Sequence, residues 1–114
     1  MIVQEIADAL GLTVLAGSQS LERQITGGYA SDLLSCVMAG AKAGNVWVTL
    51  QAHPNVIAVA ELLDLACVII TEGTGVHDDT LVRADENDVA VLQSAETTFA
   101  VVSRLAALGV SAGI

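Results

Sequence analysis

Leu65-Ala66-Cys67-Val68-Ile69-Ile70-Thr71-Glu72-Gly73-Thr74-Gly75 is the stretch on which the fold turns. Four consecutive apolar residues, Cys67 to Ile70, leave neither face of a strand polar, the pattern of a central parallel strand covered by helices on both sides. Ala66 to Thr71 is therefore read as a strand and Gly73–Thr74–Gly75 as its exit loop. Just upstream, Val46 to Leu50 is rich in β-formers. Pro54 then takes the first helical position, where its missing N–H costs nothing, and the helix runs to about Asp64. Downstream, Asp78 to about Asn87 fits a short polar helix, Val89 to Leu92 a buried strand, and Thr97 to Leu108 an amphipathic helix stopped by Gly109.

Moving outward to the amino-terminal half, Val3, Ile6, Ala7 and Leu10 share one helical face and Gly11 ends it, which predicts a helix from about Ile2 to Leu10. A strand follows at about Leu12 to Ala16. After the Gly17–Ser20 turn, an extended segment at about Leu21 to Thr26 leads to Gly27 and Gly28, where a helix begins. Ser31 or Asp32 caps it, Leu33, Leu34, Val37 and Met38 form its stripe, and Gly44 with Asn45 ends it. The alternation predicts an α/β fold: a single domain spanning residues 1–114, with a mainly parallel sheet of about five strands and helices on both faces.

Composition sets the outer bounds. The chain has 114 residues, 54% of them hydrophobic, and a net charge of −9 from thirteen acidic and four basic residues. That length suits one domain, and the apolar content excludes disorder. With only Arg23, Lys42, Arg83 and Arg104 as cations, and three aromatics, a nucleic-acid partner is not expected. Val56 to Ile70 is broken by Glu61 and Asp64, so no membrane span is expected, and the acid-containing start gives no secretion signal. Cys36 and Cys67 lie in apolar runs without metal-type spacing, as for reduced, buried thiols in the cytoplasm. So few charges can hardly cover the apolar surface of so small a domain, which predicts a homodimer.

In a parallel sheet, ligands bind beyond the carboxyl ends of the strands, where loops present free N–H groups at helix N-termini. The loops assigned there are Thr26–Gly27–Gly28, Gln51–Ala52–His53–Pro54–Asn55, Thr71–Glu72–Gly73–Thr74–Gly75 and Gln93–Ser94–Ala95. Asp32, Asp78 with Asp79, and Glu96 already lie at three predicted first turns, whereas the helix after His53 carries no acid until Glu61. A small anion or nucleotide is therefore placed there, with His53 and Asn55 as donors, the Gly27–Gly28 backbone opposite, and Gln51, Glu72 and Gly73 on the neighbouring loops. Helix capping or packing is the alternative role for His53, and chain turning the alternative for the glycines.

Catalytic machinery is not evident. Lys42, in Gly40–Ala41–Lys42–Ala43–Gly44, lacks P-loop spacing, and Gly73–Thr74–Gly75 lacks the third glycine of a dinucleotide fingerprint. His53, His77 and the two cysteines have no metal-ligand spacing. Ser31 and Ser35 have no evident base. Neither a cofactor nor a metal is expected, and the chain is read as a non-enzyme.

The run Glu22-Arg23-Gln24-Ile25-Thr26-Gly27-Gly28-Tyr29-Ala30-Ser31-Asp32-Leu33-Leu34-Ser35, followed by Trp47-Val48-Thr49 and His53-Pro54-Asn55 with Ala58-Val59-Ala60, resembles the DRTGG domain family. Here the motif is Glu-Arg-x-x-Thr-Gly-Gly, and a proline of the family after Thr71–Glu72–Gly73 is missing. The resemblance covers most of the chain. It implies an α/β fold like the amino-terminal domains of HPr kinase and MurF, a tendency to dimerise, and a regulatory role. Such domains occur alone, between CBS nucleotide-sensing modules, and inside some phosphotransacetylases. The function it implies is a regulatory or interaction domain, sensing an adenine nucleotide or another small anion. The alternative is an accessory partner of a serine kinase or acyl-phosphate enzyme. Phosphotransfer is not carried over, since the P-loop is absent.

Overall fold

In the computed structural model, which describes residues 1–113, the run Cys67–Ile70 is the middle strand of a five-stranded sheet. The elements in chain order are α1 (Val3–Leu10), β1 (Thr13–Ala16), a 3-10 turn (Ser18–Ser20), β2 (Gly27–Ala30), α2 (Leu34–Gly40), β3 (Asn45–Thr49), α3 (Asn55–Leu62), β4 (Cys67–Ile70), α4 (Asp78–Glu86), β5 (Val91–Gln93) and α5 (Thr98–Ala107). The strand order is β1-β5-β4-β3-β2, with β2 through β5 parallel and β1 antiparallel to β5. The predicted α/β class and mainly parallel sheet therefore hold.

Alternation along the central strands divides the core in two. Val46, Val48, Cys67, Ile69 and Leu92 face α1 and α5, where Val3, Ile6, Leu10, Val101 and Leu105 meet them. Trp47, Val68, Ile70 and Val91 face α2, α3 and α4, against Val37, Val56, Ile57 and Ala84. Both faces are buried, which is why β4 is apolar throughout and β3 is apolar between its end residues Asn45 and Thr49. Trp47 is wholly buried, and its indole N–H donates to the Ser31 carbonyl at 2.9 Å.

Three local readings are corrected. The predicted strand over Leu21–Thr26 is no strand: only Gln24 makes an isolated bridge, to Ile2. The strand is Gly27–Ala30 instead, and the helix predicted from Gly28 starts only at Leu34. Cys36, expected inside, is exposed, because the short α2 turns Val37 inward; Cys67 is buried as expected.

Residues 17–26 form a strap. Because β1 and β2 lie at opposite edges of the sheet, this segment must cross beneath the amino-terminal ends of the strands between them. It ties down each helix-to-strand turn that it passes. Gly17 donates its N–H to Asp85 at 2.8 Å, and the Ser20 hydroxyl donates to the Asp88 carbonyl at the turn before β5. Arg23 donates to the carbonyls of Leu65 (3.0 Å) and Asp64 (3.3 Å) before β4, and pairs with the Asp64 carboxylate at 3.0 Å. The Thr26 hydroxyl donates to the Ala43 carbonyl at 2.8 Å before β3. Strap carbonyls also accept the N–H groups of Val3 and Gln4, two of the donors left unpaired at the start of α1.

Candidate functional site

The strap decides the position of the Thr26–Gly27–Gly28 segment. Thr26 precedes β2 and both glycines lie within it, so all three sit toward the amino-terminal edge, away from Gln51, His53, Asn55, Glu72 and Gly73. The expected opposition of the glycine backbone to His53 is thus corrected. The glycines instead admit the carboxyl-terminal segment. A Cβ at Gly27 would lie 3.0 Å from the Ser111 carbonyl oxygen, one at Gly28 3.3 Å from Val110, and the Gly28 N–H donates to Ser111 at 2.8 Å. The local signal missed was that β2 is an edge strand needing room, since glycine inside a strand often marks close backbone approach.

At the carboxyl edge the structure brings the other three loops together, and most of their polar groups bond to one another. Asp32 does not cap α2. Its carboxylate accepts from the Thr49 hydroxyl (2.8 Å) and the Leu50 N–H (2.9 Å), while Gln51 donates to the Asp32 carbonyl at 3.0 Å. Ser31 accepts from Leu33 N–H at 3.2 Å, just ahead of α2. Glu72 reaches across to take the Thr98 N–H at 2.8 Å, so the acid at the start of α5 is Glu72, and Glu96 pairs with Arg104. The Gly73 N–H donates to the Ser94 carbonyl at 3.0 Å. Gln51, Glu72 and Gly73 therefore already serve as internal ties.

The start of α3 is different. Its first turn has no acid, as the sequence indicated. His53 is exposed and accepts the Asn55 N–H through Nδ1 at 3.2 Å, the capping role that was its alternative reading. Among the described residues, His53 Nε2 and the Asn55 side-chain amide have no protein partner. Sequence spacing did not reveal that His77, which precedes α4, lies beside His53: the two ring centroids are 6.3 Å apart and the planes are tilted by 59°. Thr80 joins the two helix starts by donating to the Ala52 carbonyl at 2.7 Å. A groove of about 330 Å³ opens alongside, lined by Pro54, Asp79, Val82, Arg83 and Glu86. Arg83 supplies a cation there, against two carboxylates.

Among the described residues, no group of three or more His, Cys, Asp or Glu is placed to hold a metal. Burial pushes the Cys67 thiol up to about 12, with Arg23 opposing the shift, so this thiol is a packed core group at neutral pH and not a nucleophile. No helix among the described residues is long and apolar enough to cross a membrane. A separate apolar cleft of about 290 Å³ lies beside β2, between Val48, Val102, Leu105 and Val110.

Comparison with known proteins agrees with this architecture. No curated protein matches the chain. Among solved structures, it is similar to the CBS and DRTGG domains of the regulatory region of Clostridium perfringens pyrophosphatase, a structure complexed with the activator diadenosine tetraphosphate. The TM-score is 0.69 and the identity 14%, with 98% of this chain and 48% of that one covered. The chain thus spans about half the length of that regulatory region. The family model described as the DRTGG domain matches residues 5–108, the whole of the sheet and all five helices except the first two residues of α1. This chain belongs to the DRTGG domain family.

Proposed function

We propose that this chain is a non-catalytic regulatory module that works as a pair of copies and responds to an adenine nucleotide or another small anion at the start of α3. The observation that carries the reading is the coverage: 98% of the chain aligns within a regulatory region whose structure holds an activating dinucleotide. The family resemblance supports the same role. Within this chain, the α3 start keeps donors without a protein partner in His53 and Asn55, with Arg83 lining the groove beside Pro54. An anion there meets an α3 first turn that carries no carboxylate of its own, with Asp79 and Glu86 beside Arg83 on the far wall of the groove.

Binding only to the folded state raises the melting temperature by mass action. Thermal melts of the purified chain with AMP, ATP and diadenosine tetraphosphate should show a saturable rise with at least one of them, and His53→Ala should remove it. A wild-type melt unmoved by all three ligands would overturn nucleotide sensing. Hydrolysis of ATP by the purified chain would overturn the non-catalytic assignment.

A further inference from the structure

We propose that the two copies meet through the α5 face, each placing Phe99 in the apolar cleft of the other; the inference deepens the pairing of copies stated above and rests on it. The cleft exists because α5 covers β3 but stops short of β2. Its floor is Gly28, Ala30 and Val48, and its wall along α5 is Val102, Leu105 and Ala106. Val110 covers Gly28, so it is Ala30 on the floor and Ala106 on the wall that leave space where a bulky side chain could enter. Phe99 is 84% exposed, and one turn further along the helix Val102 is 37% exposed. Phe99, Val102 and Ala106 follow one another at three- and four-residue spacing and form one outward stripe.

Charge argues that the occupant is a second copy. At −9 two molecules repel one another, so they can approach closely only where carboxylates are absent. None of the thirteen acids lies between Thr97 and Ile114 or among the floor residues, and the Glu72 carboxylate that reaches the start of α5 is tied to the Thr98 N–H. Glu96, the nearest acid in sequence, pairs with Arg104. A basic partner would be drawn to the acidic remainder of the surface, and a charged ligand would find no counter-charge in the cleft. Symmetry supplies the fit. With two antiparallel copies of α5 related by a two-fold axis between Val102 and Ser103, Phe99 of each copy stands opposite Ala106 of the other. One large knob then meets one small-residue hole on each side, the arrangement of an aromatic anchor in a pocket.

Sedimentation equilibrium of the full chain over a concentration series, with the variants Phe99→Ser and Ala106→Glu, tests this. Both positions are exposed, so circular dichroism and melts should show an intact fold. The wild type should be a dimer, and each variant should weaken the dimer by about a hundredfold or more, the size of an anchor lost from an interface. Val82→Ser, at an exposed apolar site on α4, should leave the dimer as it is. Dimers that persist unweakened in both α5-face variants would overturn this interface and leave the pairing of copies standing. A wild type that is monomeric throughout the series would overturn both.

Discussion

At the amino-terminal edge of the sheet a single strap ties together the turns before β3, β4 and β5, whereas at the carboxyl edge each loop bonds chiefly to its neighbours and His53 and Asn55 keep unspent donors. The family motif lies on the tied edge. Arg23 holds the turn before β4, Thr26 holds the turn before β3, and Gly27 with Gly28 admits the carboxyl-terminal segment. The lesson is that the residues most useful for recognising this fold are those that close it, and that ligand chemistry has to be sought elsewhere.

If this contrast is right, substitutions on the tied edge should cost stability, and those on the open edge should cost binding. Gly17→Ala should have the largest effect. Gly17 has φ +71°, and an added Cβ would lie 2.0 Å from the Val89 carbonyl oxygen. A loss of about 3 kcal/mol is expected, read as a fall of roughly 10 °C or more in melting temperature. Arg23→Ala should follow, at about 1–3 kcal/mol in urea unfolding, since it removes a charged donor from two carbonyls. Arg23→Lys should restore little of this, because an ammonium cannot reproduce the fork of the guanidinium.

Thr26→Val should cost about 1 kcal/mol, by loss of the hydroxyl bonds to Ala43 and Asn45, measured in the same way. On the open edge, His53→Ala and Asn55→Ala should each change stability by no more than about 0.5 kcal/mol while altering any ligand-induced shift. Cys67, in the sheet between the two edges, gives the smallest effect at ordinary pH. Its folded pKa of about 12 lies above the ordinary 9.0, so the unfolded chain loses that proton first. Its contribution to stability is therefore constant below pH 9 and declines as pH rises from 9 toward 12. Urea midpoints of the wild type and Cys67→Ala, compared at pH 7 and pH 10, check the sign.

Legibility in the sequence followed the same division. The central strands could be read because their burial on both faces is written in consecutive residues, as in Cys67 to Ile70. The acid-free start of α3 could be read because Pro54 and Glu61 bracket it. The strap could not. Three polar residues separate Leu21 from Ile25, with no period to show that Leu21 and Ile25 pack against the α1 and α5 side of the core while the Arg23 side chain reaches a turn about forty residues away. Gly27 and Gly28 form a strand despite poor propensity, because pairing with β3 and contact with residues 110–113 override it. The cross-loop roles of Asp32 and Glu72 are invisible in the sequence, since their partners, Leu50 and Thr98, become neighbours only after folding. Long-range ties of this kind leave no periodicity to find.

Urea unfolding of Arg23→Ala beside the wild type, at matched protein concentration, tests most directly whether the motif acts by closing the fold. A midpoint lowered in line with a loss of about 1–3 kcal/mol, with an unchanged slope, is the expected result. Wild-type stability in that variant would contradict the account.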